Sequence, residues 1–191
     1  MIKLKNLINK TKLLREVTGT TQLTQTAKYL ANLLYSNDIP HFIIGGYAVQ
    51  EYGYARTTID IDIIVPNRQD TIDYLSIRGF KEVRGNKMKI IDRSNGVEVD
   101  VLEGGEKLNT NSKIPLPIPT IVSDKPTILN FKDLIELKLD AYSTTINRLQ
   151  DGSDVGKLIV LHKLPLNLYK KLNTTVQDVY KEIWKRYTES K

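Results

Sequence analysis

Two aspartates separated by a single isoleucine, Asp60-Ile61-Asp62, stand inside a stretch that otherwise reads as a strand, Ile59 to Val65. Asp has poor strand propensity, so a pair of them in a strand interior calls for a reason. Side chains alternate along a strand, which puts Asp60 and Asp62 on one face and Ile59, Ile61, Ile63 and Val65 on the other, toward a core. Two adjacent carboxylates repel unless a proton or a cation sits between them. Oxygen-only ligands on a rigid strand suit Mg²⁺, with Mn²⁺ as an alternative. A third carboxylate has a similar setting. Val97-Glu98-Val99-Asp100-Val101-Leu102 alternates in the same way, with its valines facing one side and Glu98 and Asp100 the other. If that strand lies beside the first, Asp100 completes a cluster of three. Such a cluster could hold one or two divalent ions. Two ions about 3.5–4 Å apart can clamp the attacking and leaving oxygens of a phosphoryl displacement.

Ahead of the acids, the apolar run Phe42-Ile43-Ile44 ends in Gly45-Gly46. A strand that turns through two glycines straight into a helix lets a phosphate approach the backbone, and the first N–H groups of the helix then face the anion. A glycine turn, a Mg²⁺ site and a nearby Arg or Lys, in this order, suggest a nucleoside triphosphate.

These residues together are what makes the chain resemble a known family. Gly45-Gly46, Arg56-Thr57-Thr58, Asp60-Ile61-Asp62 and Val99-Asp100-Val101 look like the signature of the polymerase-β-type nucleotidyltransferase superfamily. The likeness is to its small members, such as AbiEii-type toxins and lincosamide-type antibiotic nucleotidyltransferases. It covers residues 40–103 well and extends weakly through Leu134–Ala141, Arg148, Asp151 and Asp154. The resemblance implies an α/β (α+β) fold, a small mixed sheet with flanking N- and C-terminal helices. It implies that Gly45 and Gly46, with Tyr47 next to them, form the phosphate turn. Asp60 and Asp62 would ligate metal. Asp100 would bind a second metal and help deprotonate the acceptor hydroxyl. Lys138 would reach the triphosphate or else be solvated, and Arg56 would touch phosphate or brace the glycine turn. Tyr47 stands where some relatives carry a Ser, and Glu98 has no assigned role. The implied reaction is transfer of a nucleoside monophosphate from an NTP to an acceptor hydroxyl. The acceptor is tRNA or a protein if the chain is toxin-like, with an antitoxin as partner, or a small molecule such as an antibiotic. A non-catalytic nucleotide-binding partner is the alternative from a different class.

Several residues have plainer readings. Asp151 reads as a helix cap and Asp154 as a first-turn acid. His41 and His162 stand apart from each other and from any Cys, as packing or surface residues.

The elements that must position these groups form one domain in three regions. Residues 1–37 read as helical, with Leu23, Ala27, Leu30, Ala31 and Leu34 at helical spacing. Residues 38–125 read as the α/β core: a strand Phe42–Ile44, a helix Tyr47–Tyr52, the acidic strand, and a helix Asp70–Ile77. A hairpin over 87–102 follows, turning at Ser94-Asn95-Gly96. Leu108 to Lys125 reads as a loop, with a short edge strand at Ile118–Val122. Residues 126–191 read as helices, the last carrying Val176, Val179, Tyr180, Ile183, Trp184 and Tyr187 as an apolar stripe that packs on the core.

A chain of 191 residues with 40% hydrophobic residues is neither disordered nor a membrane protein by composition. It has no cysteine, which excludes disulfides and thiolate metal sites. The start Met1–Ile8 lacks a long apolar core, so the expected place is the cytoplasm. A net charge of +6 permits a polyanionic acceptor such as RNA without requiring one.

Overall fold

A computed structural model describes residues 20–189. The helical reading of 1–19 lies outside the described residues. The first described helix, α1 (Thr20–Tyr35), buries Leu23, Ala27, Leu30, Ala31 and Leu34, the stripe expected from their spacing. The chain then enters β1 (Phe42–Ile44), turns at the glycines into α2 (Gly45–Glu51) and returns along β2 (Asp60–Val65). Helix α3 (Arg68–Ser76) is capped by the Asn67 side chain, which accepts from the Asp70 N–H. Strands β3 (Phe80–Val83), β4 (Asn86–Asp92) and β5 (Glu98–Glu103) follow.

The five strands form one sheet in the order β1-β2-β5-β4-β3. β2 and β5 are parallel, and the other neighbours are antiparallel. The mixed α/β architecture is therefore the one expected. Strand β3 is an addition: Arg84-Gly85 turns it into β4, and Phe80 is fully buried. The anticipated edge strand at 118–122 does not form. Ile118 and Ile121 are exposed there, in a segment whose prolines cannot donate ladder hydrogen bonds. The outer edge of β1 is met instead by residues 127–129, through Ile43 N–H to Thr127 O and Leu129 N–H to Ile43 O.

Each face of the sheet carries its own apolar layer. On one face Ile61, Ile63, Val65, Val99, Val101 and Ile90 pack beneath α1 and α3. Ile59, expected on this face, precedes the strand and is 77% exposed. On the other face the residues in phase with the acids turn apolar toward the C-terminal ends of β2 and β5, at Ile64 and Leu102. These two meet helices α4 (Phe131–Thr144), α5 (Leu149–Leu161) and α6 (Gln177–Thr188), the last through Tyr180 and Ile183 with Val176 just ahead of it. So one face is apolar at one end, where it anchors a helical layer, and acidic at the other, where it does not. Among the described residues, no helix is long and apolar enough to cross a membrane.

Candidate functional site

The register of the sheet assembles the acids. Asp62 pairs with Asp100 across β2 and β5, and Asp60 pairs with Glu98. On the far side of β5, Lys89 of β4 pairs with Asp100. Asp62, Asp100 and Lys89 thus form a row across three strands, with side chains on a common face.

Gly45 closes one end of the row. Its φ is +68, the left-handed region that favours glycine, and a Cβ there would sit 1.8 Å from Asp62 Oδ2. Only a glycine lets the Asp62 carboxylate lie against the turn. Gly46 is as closely approached: a Cβ would come within 2.5 Å of Thr58 Oγ1 and 3.2 Å of Arg56 Cζ. The Thr58 hydroxyl in turn donates to Asp60 Oδ1 at 3.0 Å. Both glycines therefore fit the chain closely around the acid strand. They begin α2, two residues earlier than the spacing suggests, and its start has no side-chain cap.

The electrostatics are those of crowded negative charge only partly offset by nearby cations. Burial pushes the Asp62 carboxyl up from its ordinary 3.8 to about 7, and Asp60 and Asp100 push the same way against Lys138 and Arg148. Asp100 is also raised by burial, with Lys89 drawing it down and Asp60 up. A carboxylate so placed fits a cation. Among the described residues, however, no three His, Cys, Asp or Glu side chains are gathered tightly enough to hold a metal ion by themselves. Thr58 holds Asp60, and Lys89 stands 3.6 Å from Asp100. Mg²⁺ needs only one or two carboxylates when water and substrate phosphates supply the rest, so Asp60 and Asp62 fit one such ion.

Beside this row lies a cavity of about 290 Å³, lined on the polar side by Gly45, Asp62, Lys89, Asp100, Lys138, Arg148 and Asp151. Leu102, Leu134, Leu137 and Ala141 form its apolar wall.

The remaining residues singled out by sequence fall in different places. Lys138 lines the cavity but is neither solvated nor a lone cation. It is 5% exposed, and its ammonium donates to Asp151 Oδ1 at 2.7 Å and Asp154 Oδ2 at 2.8 Å. Arg56 donates to the same Asp154 oxygen at 2.8 Å, which ties the loop before β2 to α5 and, through Lys138, to α4. Asp151 and Asp154 are thus partners of a buried lysine, and Arg148, not Asp151, occupies the N-cap of α5. The Tyr47 ring is 2% exposed and packs in the apolar layer on the α1 side of the sheet, so its side chain is not at the cavity. Glu98 accepts from Lys89. His41 is buried and accepts from the Thr127 N–H at 3.4 Å, its pKa lowered to about 4 by burial, while the His162 ring meets Tyr52 O.

Two groups at the cavity escaped assignment. Arg148 enters the resemblance only through its weak extension; its side chain is 56% exposed, lines the cavity and stands 3.6 Å from Asp151 Oδ2. Lys89 gave no signal beyond being one of several basic residues in a strand.

No protein-family profile matches the sequence, and no curated protein matches it. Among solved structures, the solution structure of the antibiotic-resistance factor ANT(2'')-Ia is similar with a TM-score of 0.50 at 14% identity. The match covers 89% of this chain and 95% of that one. A crystal structure of ANT(2")-Ia in complex with adenylyl-2"-tobramycin gives a TM-score of 0.48 at 13% identity, over 88% of this chain and 99% of that one. What the first similarity establishes is the architecture: this chain has a nucleotidyltransferase-like fold, a five-stranded mixed sheet with flanking helices.

Proposed function

We propose that the protein is a nucleotidyltransferase that moves a nucleoside monophosphate from an NTP to an acceptor hydroxyl and releases pyrophosphate. The observation that carries this reading is the in-register placement of Asp62 against Asp100, with Asp60 one step along and Gly45 packed on Asp62. Asp60 and Asp62 would hold one Mg²⁺. Bound there, the ion would supply charge neutralisation for the triphosphate oxygens. The Gly45-Gly46 backbone would approach the phosphates, and the exposed guanidinium of Arg148 would pair with them from across the cavity. Lys138 and Arg56 act at one remove, holding α4 and α5 against the loop that leads into β2.

Asp100 takes the proton of the acceptor hydroxyl. The acceptor oxygen then bonds to the α-phosphorus, and the bond from that phosphorus to the bridging oxygen breaks. Pyrophosphate leaves with the electron pair. Positioning and fixed charge, rather than covalent chemistry by the protein, account for the rate.

A small hydroxylated acceptor is the first reading, supported by the fold shared with an antibiotic-resistance factor. An RNA acceptor is the second, favoured by the net charge of +6. The experiment supplies each of the four α-labelled NTPs with Mg²⁺ to the wild-type protein and to an Asp60→Ala/Asp62→Ala variant. The acceptors offered are total tRNA, a protein extract and a panel of hydroxylated antibiotics. Label that moves only with wild-type protein names the nucleotide and the acceptor class together. NTP binding equal in both proteins, with no transfer in either, would overturn the reading.

A further inference from the structure

The row across the sheet carries one more consequence, which rests on the nucleotidyl-transfer reading. In a site built for two divalent ions, Asp100 would help hold the second. Here a basic side chain is already there. Lys89 is directly opposite Asp100 in the β4–β5 register, as Asp62 is in the β2–β5 register. The Lys89 ammonium donates to Glu98 Oε2 and stands 3.6 Å from Asp100 Oδ1. Its side chain is 21% exposed and lines the cavity beside Asp62 and Asp100. Glu98, the extra acid, stands one pair along β5 from Asp100, opposite Asp60, and accepts from that ammonium. At the other end of the row, Asp62 lies against Gly45 with no basic side chain paired to it among the described residues. A cation of the protein thus stands directly beside Asp100, whereas at Asp62 Lys138 and Arg148 act only from a distance. An ion on Asp100 would need carboxylate oxygens at about 2.0–2.1 Å, and it would meet the fixed ammonium at close range.

We propose that the ammonium of Lys89 stands in for a second divalent ion at Asp100, so that the site takes one Mg²⁺, on the Asp60/Asp62 side, and Lys89 is a positioning residue for Asp100. Glu98 then has a role, holding the Lys89 ammonium beside Asp100. Lys89→Met would fill similar space without charge and would leave Glu98 and Asp100 as carboxylates with no ammonium between them. That is the composition of a second ion site.

The test counts ions on the intact chain with Mn²⁺ alone, from the loss of the free-ion resonance signal as protein is titrated in. Wild type and Lys89→Arg are expected to bind one Mn²⁺ per chain, Lys89→Met two, and Asp62→Asn none. Two ions on wild type, or one on Lys89→Met, would overturn the inference while leaving nucleotidyl transfer standing. No ion on wild type would overturn the inference but not nucleotidyl transfer, whose metal site is completed by substrate phosphates and which the labelled-NTP assay tests separately. Should Lys89→Met fail to fold by circular dichroism, the counts on wild type and Lys89→Arg decide alone. One on each supports the inference, and two on either sinks it.

Discussion

Replacing Asp62 by Asn should stabilise the protein at the same time as it removes activity. The carboxyl of Asp62 is raised from 3.8 to about 7 by burial and by Asp60 and Asp100. The folded chain therefore keeps this proton over a pH range in which the unfolded chain has lost it. With more protons bound folded than unfolded, stability falls as pH rises through the window from about 4 to about 7, and the full penalty is present above it. At 1.36 kcal/mol per pH unit the shift corresponds to roughly 4 kcal/mol as an upper bound. Solvent reaching a partly exposed carboxylate reduces this, and about 2 kcal/mol is a reasonable expectation. An Asn keeps the shape and removes the charge, so the metal-free variant should melt about 4–8 °C above wild type at pH 8, given roughly 2–4 °C per kcal/mol for a chain of this size. At pH 5 the gain should fall to less than half of that. Saturating Mg²⁺ at pH 8 should raise the wild-type melting temperature and leave the variant unmoved, because the cation relieves in wild type what the substitution has already relieved. Thermal melts in chelator and in Mg²⁺ at the two pH values make the measurement. A variant that melts below wild type at pH 8 in chelator, or a gain equal at both pH values, would refute the idea that Asp62 is an uncompensated charge.

Three further outcomes follow from the same geometry. Gly45→Ala puts a Cβ where Asp62 Oδ2 lies and forces a non-glycine residue into a positive φ; transfer should fall at least ~100-fold with ~1–3 kcal/mol of stability lost, measured by labelled-NTP assay and urea unfolding. Lys138→Met leaves Asp151 and Asp154 buried without their ammonium, and urea unfolding should show a loss of ~3–5 kcal/mol; a loss below ~1 kcal/mol would mean that Arg56 or water satisfies both carboxylates. Arg148→Ala removes an exposed guanidinium at the cavity, so its melt should match wild type while KM for the NTP rises about 10-fold, the equivalent of ~1.4 kcal/mol, with kcat little changed.

Much of the site could be read in advance because its signals are local. Alternation along β2 and β5 placed Asp60, Asp62, Glu98 and Asp100 on one face of their strands, and the glycine pair marked the turn. The boundaries of β1, β4 and β5, and the end of α1, fall within a residue or two of the pattern for the same reason. Strand β3 was missed because Phe80-Lys81-Glu82-Val83 is too short and too charged to show a period; its place is decided by Phe80 entering the core and by pairing with β4. Tyr47 followed the glycines in sequence and so was grouped with them, but a helix starting at Gly45 turns its third residue toward the opposite layer.

Short-range spacing is enough to show which residue types face the same way within each strand and where the chain can turn tightly. Those are consequences of backbone geometry over a few residues. Only the tertiary structure decided that β5 lies parallel to β2 so that Asp100 stands beside Asp62, and that Lys89 completes their row. It alone decided that Lys138, at the cavity wall, is paired with Asp151 and Asp154. Pairing between strands separated by dozens of residues depends on how two apolar layers pack on the sheet, and whether a lysine is solvated, paired or at a ligand depends on which carboxylates that packing brings within reach. Neither is encoded in the spacing of neighbouring residues.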